Sequence, residues 1–460
     1  YSGNCKVIVG GNAVIGPDEP MKMVHPEITD GTDKPDDFGH VFAAGKGVLP
    51  EVYTYEDNEH RPKRMLLYNE DSHPDEGYWE WADSAHINIW EYFKGEEAYF
   101  AFVKTLALSS QTEVTIKDKA FVKGSVYGGS ENGLVQFNTD VKIEGGQIGC
   151  GKDATEPYDE VWADGYTPSG DLACASWDSG KDTNGDGKKD QFAPYDPYAK
   201  YLNPADKKYY YDEGFTKYAE GGANIATDGH TYYGNVFGGG SGSVPYFDTQ
   251  QGVSRYVSSA GMVKGNTKVT ISGGHILTNV YGGCEATNVL GSATITMTGG
   301  TVGVPRTLEQ IVAHPVTCYI FGAGKGDQRI FFNKETNVDR TTVSIEGGKV
   351  YGSVFGGGED GHVFQNTTVN IGTTEGEGPT IGTLGTSYVD GNVFGGGRGF
   401  GGEALTSGNI GGSVELNVKS GKILGSVYGG GRLASVGYGL YLVDEEIEEG
   451  GEAIKPYGIL

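Results

Sequence analysis

Short stretches of strictly alternating apolar and polar residues recur along the chain, each beside a cluster of glycines. In Ser413-Val-Glu-Leu-Asn-Val-Lys419, Val414, Leu416 and Val418 alternate with Ser413, Glu415, Asn417 and Lys419. A period of two marks a strand with one face in a core and the other in water. The same alternation returns at Val114/Ile116, Val141/Ile143, Val269/Ile271, Ile295/Met297, Val343/Ile345 and Val369/Ile371, which predicts one continuous interior stack. A second phrase, Val/Ile-Phe/Tyr followed by small residues, places aromatics at Phe42, Tyr127, Phe237, Tyr281, Phe321, Phe355, Phe394 and Tyr428. Its later copies, marked at 235, 279, 319, 353, 392 and 426, are separated by 44, 40, 34, 39 and 34 residues.

Self-similarity at such periods is the signature of a repeat architecture. The cleanest coil, Asn392 to Gly425, holds three short strands: Asn392-Val-Phe-Gly, Ser413 to Lys419, and Lys422-Ile-Leu-Gly. The expected fold is all-β, a right-handed parallel β-helix of roughly eight or nine coils, a rod about 40 Å long at the usual strand spacing. Gly-Gly pairs at 145–146, 273–274, 299–300 and 347–348 are expected to supply positive φ at the corners. Neighbouring strand residues point to opposite faces, so Val236 and Phe237 cannot both enter one core. Either the aromatic face is covered as well, by insertions, or the eight aromatics form an exposed ladder on which sugars stack; the first is expected, because such a ladder invites aggregation.

Residues 1–460 read as one solenoid broken by two long insertions. The first runs from Val48 to Ser110. Between Ala85 and Leu108, Ile89, Trp90, Phe93, Tyr99, Phe100, Val103 and Leu106 fit a helical face, so this insertion is expected to be partly helical. The second, about Cys150 to His230, is acidic and dense in tyrosine and tryptophan. It contains Asp182-Thr-Asn-Gly-Asp-Gly-Lys-Lys-Asp190, whose D-x-N-x-D-G-x-x-D spacing resembles the first nine positions of an EF-hand-type loop. Asp182, Asn184, Asp186 and Asp190 would bind Ca²⁺ by side chain and Lys188 by its carbonyl, with Gly187 at the sharp turn. Position 12, usually a bidentate Glu, is Ala193, so the match is to shortened calcium loops; the alternative is a solvated turn.

Composition narrows the functional classes. The net charge of −26 disfavours nucleic acid and anionic lipid, and suits an extracellular, calcium-rich setting. Five cysteines at irregular spacing (Cys5, Cys150, Cys174, Cys284 and Cys318) give no disulfide framework. They read as small buried thiols, with a Cys150–Cys174 bridge as the alternative. No apolar run reaches membrane-spanning length. HExxH, GxSxG and P-loop patterns are absent. The run Thr294-Ile-Thr-Met-Thr298 suggests an ice-binding face, but the outward positions aligned with it (Lys142/Glu144, Lys268/Ser272, Glu415/Lys419) break the array. The opening phrase CKVIVGGNAVIG reads as the second half of a coil, from which the sequence is expected to be part of a longer polypeptide.

The phrases AFVKGSVYGGSENG (Ala120 to Gly133), DVKIEGGQIGCG (Asp140 to Gly151) and the GNVFGGG copies resemble a group of secreted, glycine-rich repeat proteins of Bacteroidetes. The resemblance covers most of the chain and implies an exported β-solenoid on the outer surface of a Gram-negative cell. It implies nothing about activity. The residues themselves favour a non-enzymatic, adhesin-like scaffold that binds glycan or protein on a host or neighbouring cell through its insertions. Trp79, Trp81, Trp162, Trp177, Tyr209 and Tyr210 are the candidate contacts. The rival class is a polysaccharide lyase or glycoside hydrolase, for which Glu96/Glu97 or Asp159/Glu160 would be the carboxylate pairs.

Overall fold

The structure, a computed structural model, describes residues 3–16, 39–47, 107–149, 234–242, 259–305, 318–326, 336–385, 390–399 and 408–437, with four antiparallel strand pairs besides. Three parallel sheets of eight strands each run the length of a β-helix of eight coils. At about 4.8 Å per step the strands span about 34 Å. In each coil a long strand is followed by a short strand and then by the two-residue Val/Ile-aromatic strand; coil 2, for example, has Gln111–Ile116, Phe121–Val122 and Val126–Tyr127. Two further sides, which three strands per coil do not foretell, carry mostly single-residue bridges. One runs through Lys46, Glu131, Ser241, Glu285, Lys325, Glu359, Arg398 and Arg432, the other through Val135, Val263, Val289, Val338, Val363, Ile410 and Val436.

Register follows the alternation read from the sequence. Val7, Val114, Val141, Val269, Ile295, Val343, Val369 and Leu416 stand in one row, with Val9, Ile116, Ile143, Ile271, Met297, Ile345, Ile371 and Val418 in the next. From coil 2 to coil 7 both rows are fully buried and join the valines of the aromatic sheet in one core. Polar groups inside this core are satisfied by ladders of their own. Thr112, Thr139, Thr267, Thr341 and Thr367 stand at or next to the start of their strands facing inward, and each hydroxyl donates to the carbonyl of Gly128, Gly238, Gly282, Gly356 or Gly395 in the same coil, at 2.5–2.7 Å. At the corners, Asn235 and Asn279 accept the backbone N–H of the next coil through Oδ1, as do Asn138 and Asn266. Buried backbone groups need such partners wherever strand pairing lapses.

Glycine serves two different ends. Gly146, Gly274, Gly300 and Gly348, the second of each Gly-Gly pair, have φ between 76° and 83°, as expected. The glycines after the aromatic do not. A Cβ on Gly238, Gly282, Gly322 or Gly356 would fall far inside van der Waals contact with the carbonyl oxygen of the equivalent glycine one coil on. The small cysteines fill related spaces: Cys284 packs over Gly239 and Cys318 over Gly303, both buried, and burial pushes the Cys284 thiol up to about 12.

The true repeat is two coils. In the odd coils the link from short strand to aromatic strand is long, covering 16–40, 149–235, 303–319 and 382–392; in the even coils it is 123–125, 277–279, 351–353 and 424–426. The link onward to the next long strand alternates in the same way, with 43–110, 238–266, 322–340 and 395–413 against 128–138, 282–292 and 356–366. All long links therefore flank the aromatic strand and leave from every second coil, about 9.6 Å apart along the axis. That is the thickness of one packed layer, about 10 Å, so adjacent coils could not both send out a folded segment there.

The helix expected between Ala85 and Leu108 lies, as far as residue 106, outside the described residues, and its last residue, Leu108, is instead in the strand Leu108–Ser109, paired to Leu134–Val135. Within the first insertion, Met65–Asn69 pairs antiparallel with Tyr78–Ala82. Among the described residues no helix is long and apolar enough to cross a membrane.

Candidate functional site

The aromatic sheet turns its valine row to the core and its aromatic row to the other side. Because the strands are parallel and in register, like residues fall over one another, and the rings of Phe42, Tyr127, Phe237, Tyr281, Phe321, Phe355, Phe394 and Tyr428 stack in one column. Centroids are 4.5–5.2 Å apart and planes within 16° of parallel. From Tyr127 to Phe394 the column is buried. The second face is thus covered, and an exposed eight-ring sugar platform is ruled out; only Tyr428, in coil 8, is open to solvent, at 47%.

Four residues after each aromatic comes the charge row. Its sign alternates over much of its length: Lys46, Glu131, Ser241, Glu285, Lys325, Glu359, Arg398, Arg432. Lys46 Nζ lies 2.8 Å from Glu131, and Lys325 Nζ lies 3.8 Å from Glu285. Glu285, Lys325, Glu359 and Arg398 are all buried. Tyr127 and Tyr281, in coils 2 and 4, reach this row two coils away, past a phenylalanine that has no hydroxyl. Tyr127 donates to Glu285 Oε2 at 2.8 Å, with Ser241 Oγ donating to the same oxygen at 3.3 Å. Tyr281 donates to Glu359 and accepts from Asn279 Nδ2 at 3.0 Å. Burial, with the Glu359 carboxylate beside it, holds the Tyr281 phenol well above its ordinary range. The Arg398 guanidinium lies 4.9 Å from the Tyr319 ring centroid. These buried carboxylates are engaged with tyrosine, serine and lysine side chains of neighbouring coils.

The long sheet turns a mixed face outward. At one end Lys6, Glu113, Lys142 and Asp140 form an ion cluster with N–O distances of 2.8–3.3 Å, and the two lysines, Lys6 foremost, hold the Glu113 carboxyl below its usual range. Further along, the register keeps the positions aligned from the sequence, with Lys268 beside Thr294 and Lys142 in the row of Thr296, and adds hydroxyls between them. Thr294 and Thr296 stand beside Lys268 and Thr270 on one side and Thr342 and Ser344 on the other, followed by Thr368 and Asn370. A hydroxyl-bearing patch therefore spans coils 4 to 7, bounded by Asp140/Lys142 and by Glu415/Asn417.

Of the residues expected to make contacts, Trp79 and Trp81 lie in the strand Tyr78–Ala82, opposite Tyr68 and Leu66, and Tyr209 and Tyr210 lie in Lys208–Tyr210, opposite Leu202 and Tyr201. Trp162, Trp177, the whole of Asp182 to Asp190, the carboxylate pairs Glu96/Glu97 and Asp159/Glu160, and the Cys150–Cys174 pair lie outside the described residues. Among the described residues no group of three or more His, Cys, Asp or Glu is placed to hold a metal ion. The charge row escaped the sequence reading, although its signal was present: Glu131, Glu285 and Glu359 each follow a Val-aromatic-Gly-Gly phrase by the same spacing. No protein-family model, no curated protein and no solved structure matches the chain.

Proposed function

We propose that this chain is a non-enzymatic, secreted or cell-surface repeat protein, an adhesin-like rod whose insertions bind glycan or protein on a host or neighbouring cell. The supporting observation is the division of labour between coil and insertion. The coil aromatics, the buried charges and the threonine and asparagine ladders are taken up by packing one coil on the next. What varies is hung from the odd coils on both flanks of one sheet. The two longest insertions hold all five tryptophans, Trp79, Trp81, Trp90, Trp162 and Trp177. Tyrosine and tryptophan offer large contact area at low entropic cost. The setting is the outer surface of a Gram-negative bacterium.

A glycan and host-protein binding screen tests this reading, comparing the intact chain with one whose residues 150–230 are replaced by a short Gly-Asn turn. Binding by the intact chain and its loss on replacement are expected. Undiminished binding moves the site to the first insertion or the rod, and depolymerisation of a polysaccharide by the intact chain overturns the non-enzymatic reading in favour of a lyase or hydrolase.

Asp182, Asn184, Asp186, Lys188 and Asp190 are proposed to hold Ca²⁺, pinning a long acidic loop. Calcium at a hundred times its dissociation constant should then stabilise the fold that contains the site by about 2.7 kcal/mol. Differential scanning calorimetry in calcium and in EGTA measures this, and Asp186→Ala should abolish the difference. An identical melting profile for wild type in both buffers leaves only a solvated turn.

A further inference from the structure

We propose that the long edge of the rod, where each coil turns into the next long strand, is a surface on which two copies of this chain pair side by side and antiparallel, about a twofold axis at Leu290. The edge is made by the residues that follow the valine row. Backbone hydrogen bonds between coils hold it in register: Lys264 donates to the Val135 carbonyl, Leu290 to Val263 and Phe364 to Val338, at 2.9–3.0 Å. Among the described residues of coils 2 to 7, the exposed large apolar side chains are Phe137, Leu290, Phe364 and Leu384. The first three stand on this edge, 53%, 56% and 37% exposed, and they come from coils 2, 4 and 6. Successive ones are therefore two strand spacings apart, about 9.6 Å. The odd coils between them carry charge instead, Lys264 in coil 3 and Asp339 with Arg340 in coil 5. On either side of this stretch the edge falls to small residues, Ser110 in coil 1 and Gly411 and Gly412 in coil 7.

From coil 1 to coil 7 the edge thus runs small, apolar, cationic, apolar, carboxylate-bearing, apolar, small. It is symmetric about Leu290 in shape and apolar character, with a lysine on one side where the other has a carboxylate. That is the pattern a twofold contact requires, because residue i then meets residue j and j meets i. Turning a second copy end for end lays Leu290 on Leu290, Gln136 and Phe137 against Phe364 and Gln365, and Lys264 beside Asp339. Each off-axis contact is made twice. The Asp339 carboxylate is already held in place by Arg340 Nε at 3.0 Å and Gln365 Nε2 at 2.7 Å in its own chain. Arg340 itself falls opposite the uncharged Asn266. A parallel neighbour in the same register would set Lys264 against Lys264, so charge favours the antiparallel arrangement. The contact stretches about 19 Å from coil 2 to coil 6 and rests on three apolar side chains per copy. That is less than a standard interface, so the pair is a weak one, with a dissociation constant of about 10 µM to 1 mM.

Sedimentation equilibrium of the whole chain over about 10 µM to 1 mM provides the test, in about 0.15 M salt so that the −26 charges on each copy are screened. The expected result is a monomer–dimer equilibrium that stops at two copies. Leu290→Asp sets two carboxylates together at the axis and should weaken the dimer at least about tenfold. Its far-ultraviolet spectrum should be unchanged, because the side chain it replaces faces solvent. Cysteine linkage under mild oxidation reads the register. Leu290→Cys chains should link to one another, with peptide mapping placing the bond at position 290 in both. Lys264→Cys chains should link to Asp339→Cys chains but not among themselves. In the antiparallel pair the two copies of position 264 are two coils apart, about 9.6 Å, beyond the roughly 7 Å between α-carbons that a disulfide can bridge. A chain that stays monomeric throughout, assembly that grows past two copies, a dimer indifferent to Leu290→Asp, or linkage of Lys264→Cys chains to one another overturns the proposal.

Discussion

Gly282→Ala is expected to destabilise the rod by about 3 kcal/mol or more, at the upper end of what overpacking costs. The added methyl would run into the carbonyl oxygen of Gly322, which is pinned in the axial ladder by its neighbours on both sides. Strand pairing holds coils 4 and 5 in register through Val280–Tyr281 and Ile320–Phe321, so the backbone has little room to yield. In a linear array stability is a sum of neighbour interfaces, and weakening one should broaden unfolding as well as lower its midpoint. Gly429→Ala is the control: it stands in the same row in coil 8, where an added Cβ meets nothing within 4 Å. There alanine should be neutral or stabilising by about 0.5 kcal/mol, since it restricts the unfolded chain. Ala43 occupies this row in coil 1, with coil 2 on the side where the other Cβ positions meet a carbonyl, and the structure does not explain how an alanine is accommodated there. Urea midpoints of the two variants decide the matter, and a Gly282→Ala chain that unfolds with the wild-type midpoint would remove the steric account of the repeated glycines.

The long sheet was legible because its alternation has a period of two over five residues, enough to fix which face is buried; Val141 and Ile143 need no other information. The covered aromatic face was legible by a weaker route. Both residues of each two-residue strand are apolar, and a sheet wet on one side does not tolerate that in eight successive copies. The two-coil repeat was hidden because interval lengths mix the links before and after the aromatic strand, so an alternation of long and short links appears as scatter. The signs at the charge row, Glu285 against Lys325 and Glu359 against Arg398, would have revealed it. The bridge sides were illegible for a different reason: one paired residue per coil leaves no periodicity to read. The threonine rows were aligned correctly, since Lys268 does stand beside Thr294, but the outward hydroxyls of Thr270, Thr342, Ser344 and Thr368 in the same rows were left out of the comparison. The contact and calcium residues occur once each, in segments without repeats, where only composition and a loop motif speak.

Tyr281→Phe should cost about 1–3 kcal/mol at neutral pH, the range for leaving a buried acceptor short of a donor. Tyr281 is entirely enclosed, and its hydroxyl links Asn279 in its own coil to Glu359 two coils on. Without it the Glu359 carboxylate stays buried in the charge row with that donor gone. Tyr127→Phe should cost less, because Glu285 keeps Ser241 at 3.3 Å and Lys325 at 3.8 Å. Alkaline titration separates this hydrogen bond from a simple loss of packing. Burial and the nearby Glu359 raise the Tyr281 phenol in the folded state, while in the unfolded chain it ionises near 10. Above that pH the folded chain binds one more proton than the unfolded chain, so stability falls as pH rises, by up to about 1.4 kcal/mol per pH unit from this group. Below pH 10 the contribution is fully present. The phenylalanine variant lacks the group, so its stability should decline less steeply between about pH 10 and 11 than that of wild type, although it starts lower. Urea midpoints collected across that interval give both slopes directly. Parallel pH profiles would mean that Tyr281 acts only as a stacked ring, and that the link between its hydroxyl and the charge row contributes nothing to holding odd and even coils in order.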